Sequence, residues 1–145
     1  MAAISAILRR EITERAHGLC EYCQTAQLVV ITLEIDHILP QAVGGKTEFD
    51  NLCLVCRGCN SFKQAFQVGF DPDTGQMTSL FNPRTQVWAH HFQWDEAGIS
   101  LLGLSAVGRA TIHRLQINRE SVLAARQLWV EAGWHPPKAG YFPLL

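Results

Sequence analysis

The sequence lacks the features that would place it in a membrane, in a repeat array or among disordered proteins. No uninterrupted apolar stretch approaches the roughly 20 residues of a membrane-spanning helix, and no segment is repeated or of low complexity. Charged residues make up 17% of the chain and hydrophobic residues 48%, which is typical of a folded domain. A chain of 145 residues can bury one hydrophobic core, so we expect one compact unit with no membrane partner.

An excess of positive charge is also missing, because the formal net charge is −1. A strongly basic protein attracts nucleic acid over its whole surface, so any such contact must here be local. Residues 109–126 contain one acidic residue and four arginines, which are Arg109, Arg114, Arg119 and Arg126. This stretch is a candidate phosphate-binding patch, for which we name Arg109 and Arg114, although a solvated helix face explains it equally well.

The apolar start of the chain does not follow the pattern of a signal peptide. Arg9, Arg10 and Glu11 interrupt it, and no small-residue cleavage site follows. Apolar residues recur instead at helical spacing, which predicts an amphipathic helix over residues 4–17 that ends at Gly18. We therefore expect a packing helix here.

Four of the five cysteines fall into two C-x-x-C pairs, Cys20 with Cys23 and Cys56 with Cys59. An odd cysteine count is poorly suited to the disulfide framework of a secreted protein, which favours a reducing, cytoplasmic location. Two intervening residues let both thiolates of a pair reach one ion, and four thiolates form a closed tetrahedral zinc site that is structural rather than catalytic. Gly58 is expected to give the second knuckle its backbone freedom.

Two redox-active dithiols are the alternative to zinc. Neither cysteine pair opens a helix after a βαβ-like strand, as a thioredoxin motif would require. The remaining cysteine, Cys53, shares the C-x-x-C spacing with Cys56 but lies in an apolar run, residues 51–55, that predicts a short buried strand. There a free cysteine behaves as a small hydrophobe, so Cys53 is left out of the zinc site.

The segment between the two pairs is longer than the about 15 to 20 residues of a simple zinc ribbon. Residues 28–35 are rich in β-branched side chains, which predicts a strand that delivers Asp36 and His37 at its end. A helix predicted over residues 60–66 has Asn60 near its first turn. A carboxylate and an amide oxygen can bind a hard divalent cation, while a neutral imidazole can take a proton from water. This set suits phosphodiester hydrolysis.

Several short motifs occur together in one order, and as a group they resemble the HNH endonuclease family in its subgroup with two zinc knuckles. The resemblance covers roughly residues 15–66, and its motifs are Cys20-x-x-Cys23, Glu34-Ile35-Asp36-His37-Ile38-x-Pro40, Gly44-Gly45, Asn51-Leu52 and Cys56-Arg57-Gly58-Cys59-Asn60-x-x-Lys63. It implies an α+β fold with a ββα-metal core, also called a His-Me finger, around the four-cysteine zinc site.

The resemblance also implies roles for single residues. His37 would be the general base, Asp36 would bind a catalytic divalent metal, and Asn51 would hold the His37 loop through backbone hydrogen bonds. The third signature position falls on Asn60, where many relatives have histidine and a subset has asparagine. An amide oxygen favours magnesium or manganese over nickel or zinc as the catalytic ion. Lys63 is expected to contact a phosphate.

Arg57, in the second knuckle, is a further candidate phosphate contact. For both Arg57 and Lys63, an exposed basic side chain without a role is an equally good explanation. The sequence thus predicts a nuclease domain over residues 1–69, with the N-terminal helix and the zinc knuckles, and an extension over residues 70–145 that packs on it.

The extension has its own sequence pattern. Residues 71–75 have turn chemistry, and a strand over residues 87–94 is expected to pair with residues 99–104 in a hairpin across a turn. A helix starting near Ser105 and another over residues 118–132 would cover this hairpin.

No second catalytic group is evident in the extension. In the predicted strand, Trp88, Phe92 and Trp94 would share one face, as core residues rather than as a platform for stacking bases. His90 and His91 would point to opposite faces and so could not bind one metal.

The function that these observations predict is metal-dependent hydrolysis of phosphodiester bonds, with DNA as the partner and RNA left open. Two alternatives remain at this point: a non-catalytic zinc module that binds nucleic acid or protein, and an assembly role based on the extension. Target sequence, oligomeric state and pathway do not follow from the sequence.

Overall fold

Residues 3–138 are described by the computed structural model, and they form short helices and three two-stranded antiparallel sheets. The N-terminal part contains α1 (Ala6–Arg15), α2 (Gln27–Val30), β1 (Glu34–His37), β2 (Leu52–Val55) and α3 (Arg57–Lys63). The remainder contains β3 (Val68–Asp71), β4 (Gln76–Ser79), α4 (Trp88–His91), β5 (Phe92–Trp94), β6 (Leu101–Gly103), α5 (Ala106–Arg114) and α6 (Glu120–Glu131). Single 3-10 turns occupy Gln41–Val43 and Phe49–Asn51.

Helix α1 confirms the predicted N-terminal helix, with slightly tighter bounds. The Ser5 hydroxyl caps its first turn by accepting a hydrogen bond from the Leu8 amide at 3.1 Å. Ile12 is fully buried against Leu52 and Leu54 of β2. The apolar face of α1 therefore packs on the hairpin that carries the candidate site.

The predicted strand over residues 28–35 is wrong except at its last two residues, Glu34 and Ile35. Residues Gln27–Val30 form a helical turn, and Ile31 has a positive φ of 72° and is exposed. β-Branched residues stabilise a strand only when a neighbouring strand is available. Here β2 pairs with Glu34–His37 alone, in the register Glu34 with Val55 and His37 with Leu52.

Helix α3 begins three residues earlier than predicted. Cys56 is its N-cap, with Sγ accepting from the Cys59 amide at 3.4 Å. The helix ends at Lys63, because Gln64 adopts a positive φ of 52°. Asn60 and Lys63 consequently lie one turn apart in the same short helix, which packs against β1.

In the C-terminal half, the β5–β6 hairpin and helices α5 and α6 confirm the predicted order of elements. Ser105 caps α5 by accepting from the Gly108 amide. The β3–β4 hairpin, whose turn contains Gly75 at φ 73°, was not predicted beyond its turn residues.

Residues 87–94 do not form the continuous strand predicted from their aromatic pattern. Trp88–His91 is a helical turn, and only Phe92–Trp94 is extended. The three aromatic rings still meet, because Trp88 lies one turn before Phe92, with 5.3 Å between ring centroids. Adjacent His90 and His91 are therefore separated by helix geometry rather than by opposite strand faces, and His91 Nδ1 bonds the Ser105 hydroxyl at 2.7 Å.

One buried cluster joins the cysteine knuckles to the C-terminal elements. It comprises Cys20, Tyr22, Cys23, Cys53, Val55, Cys59, Leu80, Phe81, Phe92, Leu101, Leu115 and Ile117. The boundary at residues 69 and 70 remains a prediction, and the parts of those segments at residues 1–2 and 139–145 lie outside the described residues. Within residues 3–138 no helix has the length and apolarity to cross a membrane.

Candidate active site and zinc centre

The four predicted cysteine ligands converge on one point. Their sulfur atoms all lie within 4.8 Å of one another, and the Sγ atoms of Cys23 and Cys56 are 3.6 Å apart. Zinc–sulfur bonds of about 2.3 Å in a tetrahedron place sulfurs about 3.8 Å apart. Every one of the five cysteines is a free thiol. This donor set fits a structural zinc ion, and among residues 3–138 it is the only such group of three or more His, Cys, Asp or Glu side chains.

The glycine at position 58 has a different structural role from the one that the sequence suggested. It lies inside α3 and does not adopt a positive φ. A side chain at this position would collide with the guanidinium of Arg119, which lies against the knuckle. Glycine therefore lets Arg119 approach the knuckle, although the flexible end of Arg119 could shift to admit a side chain, and backbone freedom is not needed here.

Cys53 lies outside the zinc cluster, as predicted. It is fully buried, and its Sγ lies 3.8 Å from the Tyr22 hydroxyl. Burial raises the pKa of this thiol to about 12, so Cys53 stays protonated at neutral pH and cannot offer a thiolate to a metal.

The face of β1 that meets α3 presents two carboxylates. Glu34 and Asp36 are two residues apart, so they project to the same side of the strand. Asn60 donates from Nδ2 to Glu34 Oε1 at 2.9 Å. Lys63 donates from Nζ to Asp36 Oδ2 at 2.9 Å, and its side chain is only 3% exposed. The predicted metal ligands Asp36 and Asn60 are thus in one locale, but each is bonded to a different partner.

His37 is the last residue of β1, and the loop that follows holds its ring. Its Nε2 lies 2.8 Å from the Thr47 hydroxyl oxygen. Gln41 donates to the same oxygen at 3.3 Å. When Nε2 carries the ring proton and donates it to Thr47, Nδ1 is left as the basic nitrogen.

Asn51 closes this loop through its side chain. Its Oδ1 accepts from the Leu39 amide at 2.9 Å, and its Nδ2 donates to the carbonyls of Leu39 at 3.1 Å and Lys46 at 2.8 Å. The Asn51 carbonyl also accepts from the Ile38 amide at 2.8 Å. The structure therefore places Asn51 where it fixes the backbone between His37 and Thr47.

The oxygen donors beside α3 suit a hard divalent cation. Asp36 and Glu34 offer carboxylate oxygens and Asn60 an amide oxygen, the donor types that magnesium and manganese prefer. Because the ammonium group of Lys63 already contacts Oδ2 of Asp36, a cation at Asp36 would either share the carboxylate through Oδ1 or displace Lys63 from it.

Two residues of this region had no predicted role. Glu34 could have been found from its position two residues before Asp36, which places both on one strand face. The role of Thr47 could not be predicted from the sequence, because its contact with His37 depends on how the loop between them folds back.

The basic candidates fall into different surroundings. Arg57 is exposed, whereas Lys63 is buried. Arg109 donates to both carboxylate oxygens of the buried Asp71, at 2.9 and 3.0 Å, so its charge is already paired within the fold. Arg114 lies over the Phe66 ring at 4.1 Å and donates to a backbone carbonyl.

Comparison with known proteins identifies the region that contains both sites. Residues 20–70 match a family model, HNH_5, which is described as HNH endonuclease. No curated protein and no solved structure matches the chain. The match contains both cysteine pairs, the β1–β2 hairpin and α3.

Proposed function

We propose, on the premise that residues 20–70 belong to the HNH endonuclease family, that the protein is a metal-dependent endonuclease that hydrolyses phosphodiester bonds in DNA. The observation that carries the proposal is the meeting of β1 with α3. It brings the oxygen donors of Asp36 and Asn60 together beside β1, the strand whose last residue is His37. A nuclease domain therefore has a candidate base and candidate metal ligands within one small motif.

In this proposal His37 takes the proton of the attacking water at Nδ1. This requires the tautomer in which Nε2 donates to the Thr47 hydroxyl, a contact that holds the ring in place, and Asn51 fixes the backbone that carries both residues. A general base that is held in position contributes about 10² to 10⁴ to the rate of a proton-transfer reaction. Thr47 and Asn51 act as positioning residues.

Asp36 and Asn60, with Glu34 beside them, would hold the divalent metal, most suitably magnesium or manganese. When bound, such an ion supplies positive charge that stabilises the phosphoryl group and the leaving oxygen. Lys63 is paired with Asp36, and a metal ion that took over this carboxylate would free the charge of Lys63 to attract a substrate phosphate.

One observation favours a second function, a zinc module that binds nucleic acid without cutting it. The carboxylate of Asp36 is already neutralised by Lys63, so its charge is balanced without a second metal. In this alternative the Lys63–Asp36 ion pair is a permanent part of the structure, and the oxygen donors beside it bind no metal ion.

A nicking assay on supercoiled plasmid separates the two functions. The full-length, zinc-loaded protein is incubated with magnesium, manganese or nickel, beside His37→Ala and the matched control His90→Ala, which removes an exposed histidine from α4. We expect nicking by the wild type and the control, and a loss of at least about 10² in the His37→Ala variant. If all three proteins are folded, zinc-loaded and inert, the non-catalytic function stands. Cleavage of an RNA strand but not of DNA would correct the substrate.

A further inference from the structure

Next to helix α3 lies an open groove lined by apolar and aromatic side chains. It has a volume of about 420 Å³ and is lined by Phe62, Phe66, Phe70, Met77, His113 and Arg114, among others. We call it the aromatic groove. Phe66 and Phe70 are 43% and 41% exposed, and Met77 is 64% exposed, so large apolar side chains face solvent here.

This exposure runs against the usual pattern of a strand. In β3, Gly69 and Asp71 are buried, while Val68 and Phe70 point outward. A sheet with one face on the core normally buries the apolar set and exposes the polar set. The inverted pattern marks the outward face of β3 as a surface that gains from contact with another molecule.

The aromatic groove continues toward the candidate active site. A second groove of about 440 Å³ is lined by Ile38 and Leu39 of the His37 loop and by Lys63. Phe66 and Val68 line both grooves. One track therefore leads from the His37 loop, past Lys63, to the rings of Phe66 and Phe70.

The charge along this track is complementary to a polyanion. The chain has 13 acidic residues, but no Asp or Glu occurs among the described residues that line either groove. Of the described basic residues that line them, Lys63 is paired with Asp36, which leaves Arg114 as the free cation, with His113 beside it. Arg114 forms no salt bridge with any carboxylate of residues 3–138, and its guanidinium rests on the Phe66 ring.

Exposed rings beside an unpaired cation are a combination by which proteins bind single-stranded nucleic acid. Bases stack on the rings, and cations contact the phosphates between them. In a duplex the faces of the bases are covered by their neighbours, so only unpaired bases can stack on Phe66 or Phe70. A purely apolar protein partner would leave the guanidinium of Arg114 without a counter-charge, whereas a nucleic-acid strand that continues from the active site uses both the rings and the cation.

We propose that the aromatic groove binds unpaired nucleobases of the strand whose phosphate lies at the active site. The inference rests on the proposed nuclease function and narrows its substrate class to DNA with a single-stranded segment beside the bond that is cut. Phe66 and Phe70 stack the bases, and Arg114 contacts the backbone.

Binding is measured separately from cleavage, by fluorescence anisotropy with labelled oligothymidine, an abasic strand of equal length and a duplex of equal length. The full-length, zinc-loaded His37→Ala protein is used without added divalent metal, so that no strand is cut. We expect tighter binding to oligothymidine than to the abasic strand or the duplex. Because this result does not depend on nuclease activity, failure of the groove and failure of the proposed function are distinguishable.

Variants then locate the bases. Phe66→Leu and Phe70→Leu, each made in the same His37→Ala protein, keep an apolar side chain but remove the ring. We expect each to weaken oligothymidine binding about tenfold, the loss of one stacked base, with little change in duplex binding. Trp134→Leu, which removes an exposed ring outside both grooves, should bind as the parent protein does.

Three outcomes overturn the proposal. One is equal affinity of the parent protein for oligothymidine, the abasic strand and the duplex. Another is unchanged oligothymidine binding by both leucine variants. A third is self-association, seen by sedimentation, that Phe70→Leu abolishes while oligonucleotide affinity stays the same, since the face would then be an interface between two copies of the chain.

Discussion

Lys63 lies within 2.9 Å of Asp36, and its side chain is almost completely buried. A buried lysine is costly unless a carboxylate compensates its charge, and Asp36 provides that carboxylate. The same residue is the candidate ligand of a catalytic cation. In this arrangement the ammonium group would compete with a metal ion bound at the Asp36 carboxylate.

The first prediction follows from that competition. Lys63→Met should bind manganese more tightly than the wild type, by about tenfold or more, because a charge-assisted hydrogen bond of about 1.5 to 3 kcal/mol no longer opposes the metal. Cleavage should nevertheless fall, since the variant lacks the charge that attracts the phosphate. Calorimetric titration with manganese measures the affinity, with Lys138→Met, an exposed lysine, as the control. Unchanged manganese affinity would show that Lys63 does not compete.

The second prediction concerns Thr47, whose hydroxyl lies 2.8 Å from His37 Nε2. Thr47→Val keeps the shape of the side chain and removes the hydrogen bond, so the imidazole should lose its fixed tautomer and orientation. We expect kcat to fall about 10- to 100-fold with little change in KM. Thr47→Ser keeps the hydroxyl and should retain most of the activity. Equal kcat values for the valine and serine variants would contradict the positioning role.

The third prediction separates the five cysteines. Cys56→Ser should lose zinc, and with it the N-terminal fold, because binding of a structural zinc ion is worth on the order of 10 kcal/mol. Cys53→Ser should keep its zinc, since Cys53 contacts Tyr22 and not the sulfur cluster. Metal analysis by mass spectrometry and circular dichroism measure both effects. Zinc retained by both variants would rule out this ligand set.

The fourth prediction separates Arg109 from Arg114. The Arg109 guanidinium, with smaller help from the Asp73 amide, holds the pKa of the Asp71 carboxyl below its ordinary value. A depressed pKa in the folded state contributes stability above the unfolded pKa, and this contribution is lost as the pH falls through the folded value. Arg109→Ala should therefore lower Tm by several degrees at pH 7, and equally at pH 5, where Asp71 is still ionised.

Arg114→Ala should behave in the opposite way. It should leave Tm nearly unchanged and weaken oligonucleotide binding, with a salt dependence that is flatter by about one unit. Thermal scans and anisotropy titrations at several salt concentrations measure the pair. A loss of oligonucleotide binding in Arg109→Ala without a loss of stability would reverse this assignment and restore Arg109 as a phosphate contact.

The sequence was most informative where structure depends on local spacing. The C-x-x-C pairs predicted the cluster because each turn is built within four residues, and capping residues such as Ser105 predicted helix starts correctly. The strand predicted over residues 28–35 was mostly wrong because a strand needs a pairing partner, and β2 is long enough to pair with only the last residues of that run.

The site was predictable in its residue types but not in its contacts. Asp36, His37 and Asn60 could be named from their order, while the pairing of Asp36 with Lys63 depends on how α3 packs against β1. The exposed face of β3 could not be predicted from the sequence either. A strand that buries Gly69 and Asp71 and exposes Phe70 does not follow the apolar alternation by which strands are identified.

The central claim is that a hydrolytic metal site at Asp36 exists beside, and separately from, the four-cysteine zinc. The most direct test is plasmid nicking by zinc-loaded protein freed of other metals, measured as manganese is added, for the wild type and Asp36→Asn. We predict no nicking before manganese is added, manganese-dependent nicking by the wild type alone, and equal zinc content in both proteins. Nicking without added manganese, or equal nicking by Asp36→Asn, would contradict the account.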